Sequence, residues 1–339
     1  MIHAYTKFQH IGIAGGGAWG TALAVAAVRA GREVSLWVRE EEVVASIAAS
    51  HENTRFLPGV LLDPAITAST NKASLGDCDL VLLAAPAQYL RDVAREFSDC
   101  LAPAVPLVIC AKGIELDSGA LMSEVARDVL GATRPLAILT GPNFASEVAR
   151  GLPSALTLAS EDARLCETTA AALASTSLRP YITDDVVGAQ IGGAAKNVMA
   201  IAAGIAIGRG LGENARAAIM TRGFAEMTRY GTTRGANFDT MAGLCGLGDL
   251  VLTCSSTSSR NFSLGKAIGE GQSAADLMAN RQTVAEGAHT APVLQRLARA
   301  EGIDMPIVDA VVALLDGARA ADVADGLLSR PLTTERRDA

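Results

Sequence analysis

Aromatic side chains are scarce: two Trp, four Tyr and seven Phe make up 4% of 339 residues. Glycine and alanine take their place, which suits closely packed helices around a parallel sheet. Excess positive charge is also lacking. The net charge of −7 argues against a nucleic-acid partner, so any phosphate site has to be built locally from a few cations and N–H groups. The six cysteines, at 78, 100, 110, 166, 245 and 254, contain no C-x-x-C pair. They read as buried or semi-buried thiols of a reducing, cytoplasmic compartment. There is no H-E-x-x-H or comparable cluster, hence no metal site is expected, and no G-x-S-x-G hydrolase elbow. Residues 1–7 are mixed and polar, unlike a signal peptide. No internal repeat or low-complexity linker occurs. One run, Val186–Gly208, has the length of a membrane span, but Gln190, Lys196 and Asn197 near its middle mark it as a buried helix without membrane insertion.

Half of the residues are hydrophobic and 19% charged, which leaves material for a large core and, at this length, two domains. The clearest organisation lies at 8–20. An apolar strand at 8–14 runs into Gly15, Gly17 and Gly20 in G-x-G-x-x-G spacing, and the chain turns helical from Ala18. Strand, glycine turn and helix N-terminus are the order a dinucleotide site needs. The glycines permit the tight turn, the approach of a pyrophosphate and close helix packing, and free N–H groups hold the anion. A second strand at 33–38 ends beside Arg39 and Glu40. An arginine there accommodates the 2′-phosphate of NADP and an acid the 2′-hydroxyl of NAD. Arg39 therefore favours NADP(H), while Glu40 keeps NAD(H) open.

Further strands are expected at 65–69, 79–85, 106–111, 134–140, 154–160 and 178–183, with helices at 40–50, 88–100 and 161–174. Lys112 and Gly141 to Phe144 directly follow strands. They belong at the carboxyl edge of the sheet, where ligands bind in open α/β folds. From Asp184 onward the pattern is purely helical, which divides the chain into 1–184, a Rossmann-like doubly wound sheet, and 185–339, an all-helical domain with a frayed tail at 329–339. Lys196 is the lone charge between Asp185 and Arg209. A buried ammonium is costly unless paired or shifted in pKa, so it is a functional candidate. Gly192 and Gly193, one turn earlier, leave space for a backbone or ligand. An amphipathic helix is expected at 214–229. A glycine-rich stretch then carries Asp249, and the hydroxyls at 253–259 lead to Arg260 and Asn261 ahead of a helix at 262–270. That combination reads either as a phosphate cradle or as an N-capped loop. Residues 284–287 lead into helices at 288–301, 306–316 and 319–328, and His51 and His289 read as surface or helix-start residues.

Taken together, the blocks GGGAWGTALA (15–24), LWVR (36–39), AKGIE (111–115), GPNFASEVARGLP (141–153), GGAAKNVMAIAAGI (192–205), the stretch 243–261 and VAEG (284–287) resemble the bacterial-type NAD(P)-dependent glycerol-3-phosphate dehydrogenase family. The resemblance covers about 8–328. It implies reversible reduction of dihydroxyacetone phosphate to sn-glycerol 3-phosphate for phospholipid synthesis, and a homodimer through the helical domain. It also implies cofactor contacts at Gly15, Gly17, Ala18, Trp19, Gly20, Arg39, Lys112, Ala145, Arg260, Val284 and Glu286. Substrate contacts are implied at Lys112, Gly141, Asn143, Lys196, Asp249, Ser259, Arg260 and Asn261, with Lys196 as the acid/base. Three positions depart from the family pattern: Ala18 and Asn143 stand where Ser is usual, and Ala195 where Leu is common. The other readings are a 6-phosphogluconate or hydroxyacid-type dehydrogenase and a non-catalytic dinucleotide sensor. The block 243–261 speaks against the former, and retention of Lys196, Asp249 and Arg260 against the latter.

Overall fold

The computed structural model describes residues 7–279 and 285–331. Its first half alternates strands and helices: β1 (His10–Ala14), α1 (Ala18–Arg29), β2 (Glu33–Trp37), α2 (Glu41–Ser50), β3 (Ile66–Ser69), β4 (Leu80–Leu83), α3 (Leu90–Phe97) and β5 (Leu107–Ile109). Then come α4 (Met122–Leu130), β6 (Leu136–Thr140), α5 (Ala145–Arg150), β7 (Ser154–Ala159), α6 (Ala163–Leu173) and β8 (Leu178–Thr183). The strands form one sheet in the order β3-β2-β1-β4-β5-β6-β7-β8. Ile11, Ile13, Leu80, Val81, Leu82 and Val108 are wholly buried, because helices cover both faces, as continuous apolar runs in parallel strands require. One face packs on α1, α2, α5 and α6; the other packs on α3, α4 and the start of the following helix. This is a doubly wound, Rossmann-like sheet. Its strand order reverses between β1 and β4, and the crevice at their carboxyl ends is where such folds bind ligands.

Some expectations needed adjustment. The segment 88–100 is a short 3-10 turn (Ala87–Tyr89) followed by α3, which stops at Phe97. The strand β7 pairs antiparallel with β6, because Gly151, at φ 77°, ends the six-residue α5 and turns the chain back. The helices α4 and α5 were not anticipated.

After β8, only helices follow among the described residues: α7 (Val186–Gly208), α8 (Gly212–Thr233), α9 (Phe238–Ala242), α10 (Asp249–Cys254), α11 (Arg260–Gly269), α12 (Ala274–Ala279), α13 (Glu286–Ala300), α14 (Pro306–Leu315) and α15 (Ala320–Leu328). The long apolar α7 is the core of this layer, not a lipid-facing segment: from Ile191 to Ile205 nearly every residue is buried, against α8, α11, α13 and α14. The expected tail at 329–339 falls mostly outside the described residues.

The contact between α7 and α11 is made by backbone. A Cβ on Gly204 would lie 2.1 Å from the Phe262 carbonyl oxygen, and one on Gly208 2.1 Å from that of Lys266. From the other side, a Cβ on Gly265 would lie 2.0 Å from the Ile201 oxygen and one on Gly269 2.4 Å from that of Ile205. The pairs advance together along both helices, so α7 and α11 run parallel in a fixed register. One turn earlier, the same register sets Asn197 level with Asn261, whose amide donates to the Asn197 Oδ1 at 2.9 Å.

Gly204→Ala tests this contact. Alanine gains about 1 kcal/mol of helix propensity, but overpacking against a backbone carbonyl costs about 3 kcal/mol. The expected result is a net loss of about 2 kcal/mol in urea unfolding; a stabilised variant would show that the helices are free to separate.

Candidate active site

The glycine turn closes the crevice at the end of β1. Gly15 has φ 129°, a conformation L side chains rarely adopt, and a Cβ there would meet the Ala84 carbonyl at 3.0 Å. Its N–H donates to the Trp37 carbonyl at 3.0 Å. A Cβ on Gly20 would lie 1.8 Å from the Gly15 oxygen, so α1 sits directly on the turn, whereas nothing stands within 4 Å of that position on Gly17. Gly17 is the N-cap of α1 and supplies no side-chain acceptor, which leaves first-turn N–H groups at Ala18 and Trp19 for an anion. Asn53, wholly buried, pins the turn from below. Its Nδ2 donates to the Gly16 carbonyl and to Thr21 Oγ1, both at 2.8 Å. In the sequence Asn53 is one residue of a loop, and only the fold reveals it.

Across the crevice three side chains from separate elements converge. Lys112, in the loop after β5, donates to the Gly141 carbonyl at 2.8 Å and to Asp249 Oδ2 at 2.7 Å. Lys196, in the middle of α7, donates to Asp249 Oδ1 at 2.9 Å and to Thr253 Oγ1 at 2.7 Å. The Thr253 hydroxyl donates in turn to Asp249 Oδ1 at 3.2 Å. Asp249 is 1% exposed and Lys196 6%. Burial pushes the Lys196 ammonium down to about 8; Asp249 pulls it back up and the nearby Lys112 charge lowers it further. Burial also works against the Asp249 carboxylate, but the two lysines outweigh it and hold the group below the usual range.

The glycine pair before Lys196 makes this convergence fit. A Cβ on Gly192 would lie 2.8 Å from the Cys245 carbonyl oxygen, in the π turn Leu244–Gly248 that delivers Asp249. One on Gly193 would lie 2.6 Å from Thr140 Oγ1 and 3.6 Å from Lys112 Cγ. The sequence placed Asp249 in a glycine-rich stretch; the structure puts it at the first position of α10. Thr253, four residues on, shares its face, a spacing that could have flagged it.

The helix expected at 262–270 begins at Arg260, because Ser259 is its N-cap and accepts from the Phe262 N–H at 3.2 Å. Arg260 and Asn261 thus occupy the first turn rather than a loop ahead of it. Besides donating to Asn197, Asn261 accepts from the Gly287 N–H at 2.9 Å, tying α11 to α7 and α13. Glu286 opens α13 and accepts from the Ala87 N–H at 3.1 Å, which fastens the helical layer to the end of β4. Its Oε2 is buried without a partner, as are Trp19 Nε1 and Asn143 Oδ1. Burial raises the Glu286 carboxyl, opposed by the Ala87 N–H and by Arg260.

 Lys112, Gly141, Lys196 and Asp249 meet directly, with Ser259, Arg260 and Asn261 at the adjoining helix start. Gly15, Gly17, Ala18, Trp19 and Gly20 form the turn. Ala145 begins α5, partly buried. The Asn143 side chain bonds to β7, its Nδ2 donating to the Ala155 carbonyl at 3.4 Å. Arg39 stands at the far end of the crevice, past β2, paired with Glu96 at 3.2 Å. Val284 lies outside the described residues. Among the described residues no group of three or more His, Cys, Asp or Glu could hold a metal. The uncapped turn and the unpartnered buried groups of Trp19 and Glu286 fit a dinucleotide.

Two family profiles match the chain: NAD-dependent glycerol-3-phosphate dehydrogenase N-terminus over residues 10–166 and the C-terminus of the same family over 185–324. The chain is similar to glycerol-3-phosphate dehydrogenase (NAD(P)+) 1 of Sphingopyxis alaskensis, 54% identical with 97% of this chain and 99% of the relative covered. The Caulobacter vibrioides glycerol-3-phosphate dehydrogenase (NAD(P)+) is 52% identical over the same shares. Among solved structures, the glycerol-3-phosphate dehydrogenase of Coxiella burnetii superposes with a TM-score of 0.91 at 35% identity, covering 96% of this chain and 99% of that one.

Removing the shared carboxylate should expose its weight. Asp249→Asn leaves two lysines without their counter-charge, and a loss of about 3 kcal/mol or more is expected in urea unfolding. In the same variant the Lys196 amine, followed by NMR of methylated lysines, should titrate lower than in the parent chain. An unmoved titration would show that Asp249 does not govern Lys196.

Proposed function

Since the chain belongs to the NAD-dependent glycerol-3-phosphate dehydrogenase family, we propose that the convergence of Lys196, Asp249 and Lys112 is its catalytic centre, with Lys196 as the general acid and base. The enzyme interconverts dihydroxyacetone phosphate and sn-glycerol 3-phosphate with NAD(P)H. When bound, the nicotinamide cofactor supplies or accepts the hydride at the substrate carbon. What remains is a proton at the substrate oxygen. Lys196, as ammonium, polarises that oxygen and gives the proton; as neutral amine it takes it back. A lysine at its ordinary pKa would be a poor base near neutrality, and a value of about 8 makes both roles available. Asp249 holds the lysine in place, and Lys112 adds positive charge beside the developing alkoxide.

Arg260, with the Ser259 hydroxyl, the Asn261 amide and the first turn of α11, is the proposed phosphate holder. Its register with α7 supports a phosphate held near the lysine, and such positioning supplies much of the rate. The uncapped start of α1 supports Gly15, Gly17, Ala18, Trp19 and Gly20 as the cofactor turn, and Arg39 supports a preference for NADP(H). Gly141 and Asn143 on the substrate side, and Ala145, Val284 and Glu286 on the cofactor side, are assigned by resemblance. The same reading divides the chain at 184, with 1–184 binding cofactor and 185–339 substrate. It also assigns a homodimer through the helices, a cytoplasmic location and supply of glycerol 3-phosphate to phospholipids. The observation that carries the proposal is the buried Lys196–Asp249–Lys112 cluster at the carboxyl edge of the sheet.

Purified protein with dihydroxyacetone phosphate should consume NADPH and NADH, read by the absorbance of the reduced nicotinamide, and NADPH the faster. Lys196→Ala should keep cofactor binding and lose about two to four powers of ten in turnover; near-normal turnover would remove Lys196 from the proton step. Arg260→Ala should raise the Michaelis constant for the phosphorylated substrate by at least about tenfold; an unchanged constant would move the phosphate elsewhere. The turnover number for reduction should fall as pH rises through about 8, where the ammonium is lost, and that for oxidation should rise over the same range. Profiles flat across this range would exclude Lys196 as the titrating group.

A further inference from the structure

The cofactor reading leaves the partner of Arg39 unexplained. Arg39 Nη2 lies 3.2 Å from Glu96 Oε1, and both side chains are open to solvent, at 52% and 37%. Glu96 is held there by its neighbours. The adjacent Phe97, fully buried, meets Trp37 edge-on, with ring centroids 5.0 Å apart at 85°. The Trp37 ring is itself fixed by donating Nε1–H to the Thr70 carbonyl at 3.0 Å. Arg39 extends over that same ring, 5.9 Å from its centroid. The end of α3 is therefore pressed against the end of β2, and this delivers one carboxylate to the guanidinium that the cofactor reading gives to the 2′-phosphate.

We infer that Glu96 is a specificity-determining residue that holds down the preference of this enzyme for NADP(H) over NAD(H). The inference rests on the reading of Arg39 as the residue at the adenosine ribose. A 2′-phosphate has to share Arg39 with Glu96 and stay beside its negative charge. A 2′-hydroxyl brings no charge and leaves the ion pair intact. Glu40, Glu41 and Glu42 follow Arg39 directly in the chain and add to the acidity of the rim. Exposed ion pairs are individually weak, so the effect sets a ratio between two cofactors rather than excluding either.

The test is the dissociation constant for NADPH and for NADH, measured by nucleotide fluorescence without substrate, in the parent chain, Glu96→Gln and Arg39→Ala. Glu96→Gln should lower the ratio of the NADPH to the NADH constant by about three- to tenfold, and the gain should shrink in high salt. A ratio unchanged, or moved toward NADH, would overturn the inference. So would a loss of NADH affinity alone in Glu96→Gln, which would make Glu96 a holder of the 2′-hydroxyl. Arg39→Ala tests the premise separately: it should weaken NADPH at least about tenfold more than NADH. Equal constants in that variant and the parent would remove the premise and the inference with it.

Discussion

One carboxylate carries two cations. Asp249 spends one oxygen on Lys112 and the other on Lys196, and in doing so joins the edge of the sheet to the centre of the longest helix. Lys196 would not be tolerated there unpaired, since an unpaired buried ammonium is far costlier than a paired one. The cluster is still one positive charge in excess. That excess, together with burial, brings the Lys196 proton within reach of solution pH, and it suits an oxygen that becomes negative. The same arrangement therefore accounts for a fold contact and for a proton affinity.

Glycine does two different jobs around this cluster. At Gly15 it provides a backbone shape. At Gly192, Gly193, Gly204 and Gly265 it provides only absence, letting one backbone or side chain come within contact of another. The second use is the more demanding, because a methyl group at Gly204 or Gly265 would collide with a carbonyl that has nowhere to go. Helices that touch through backbone cannot slide. Asn197 and Asn261 inherit their alignment from this, and Lys196 and Arg260, one residue before each, inherit theirs.

The strands and the glycine turn were legible because each has a local signal: an apolar run, a fixed spacing, a change of period at Asp184. Lys196 was legible for a comparable reason, as one charge in a long apolar stretch. Asn53 and Thr253 were not. Asn53 acts through two bonds to the glycine turn, more than thirty positions back along the chain, and nothing in its own neighbourhood announces them. Thr253 is one hydroxyl among several in a polar run, and its role follows only once α10 is known to start at Asp249. The two-residue error at the start of α11 has a similar origin. All five residues from 255 to 259 are Ser or Thr and can cap a helix, and the choice of Ser259 is settled by packing on α7.

The parallel seating of α11 on α7 works as a ruler. On the proposed reading one end of the substrate is clamped at the first turn of α11 and the other is worked on at Lys196, and the interval between them is fixed by main-chain contact. Side-chain exchange in the pocket cannot lengthen or shorten it. Selection among phosphorylated ketones is then a matter of how many bonds separate the carbonyl from the phosphorus. A homologue with one more carbon in between would present the wrong atom to the amine, however well its phosphate were held.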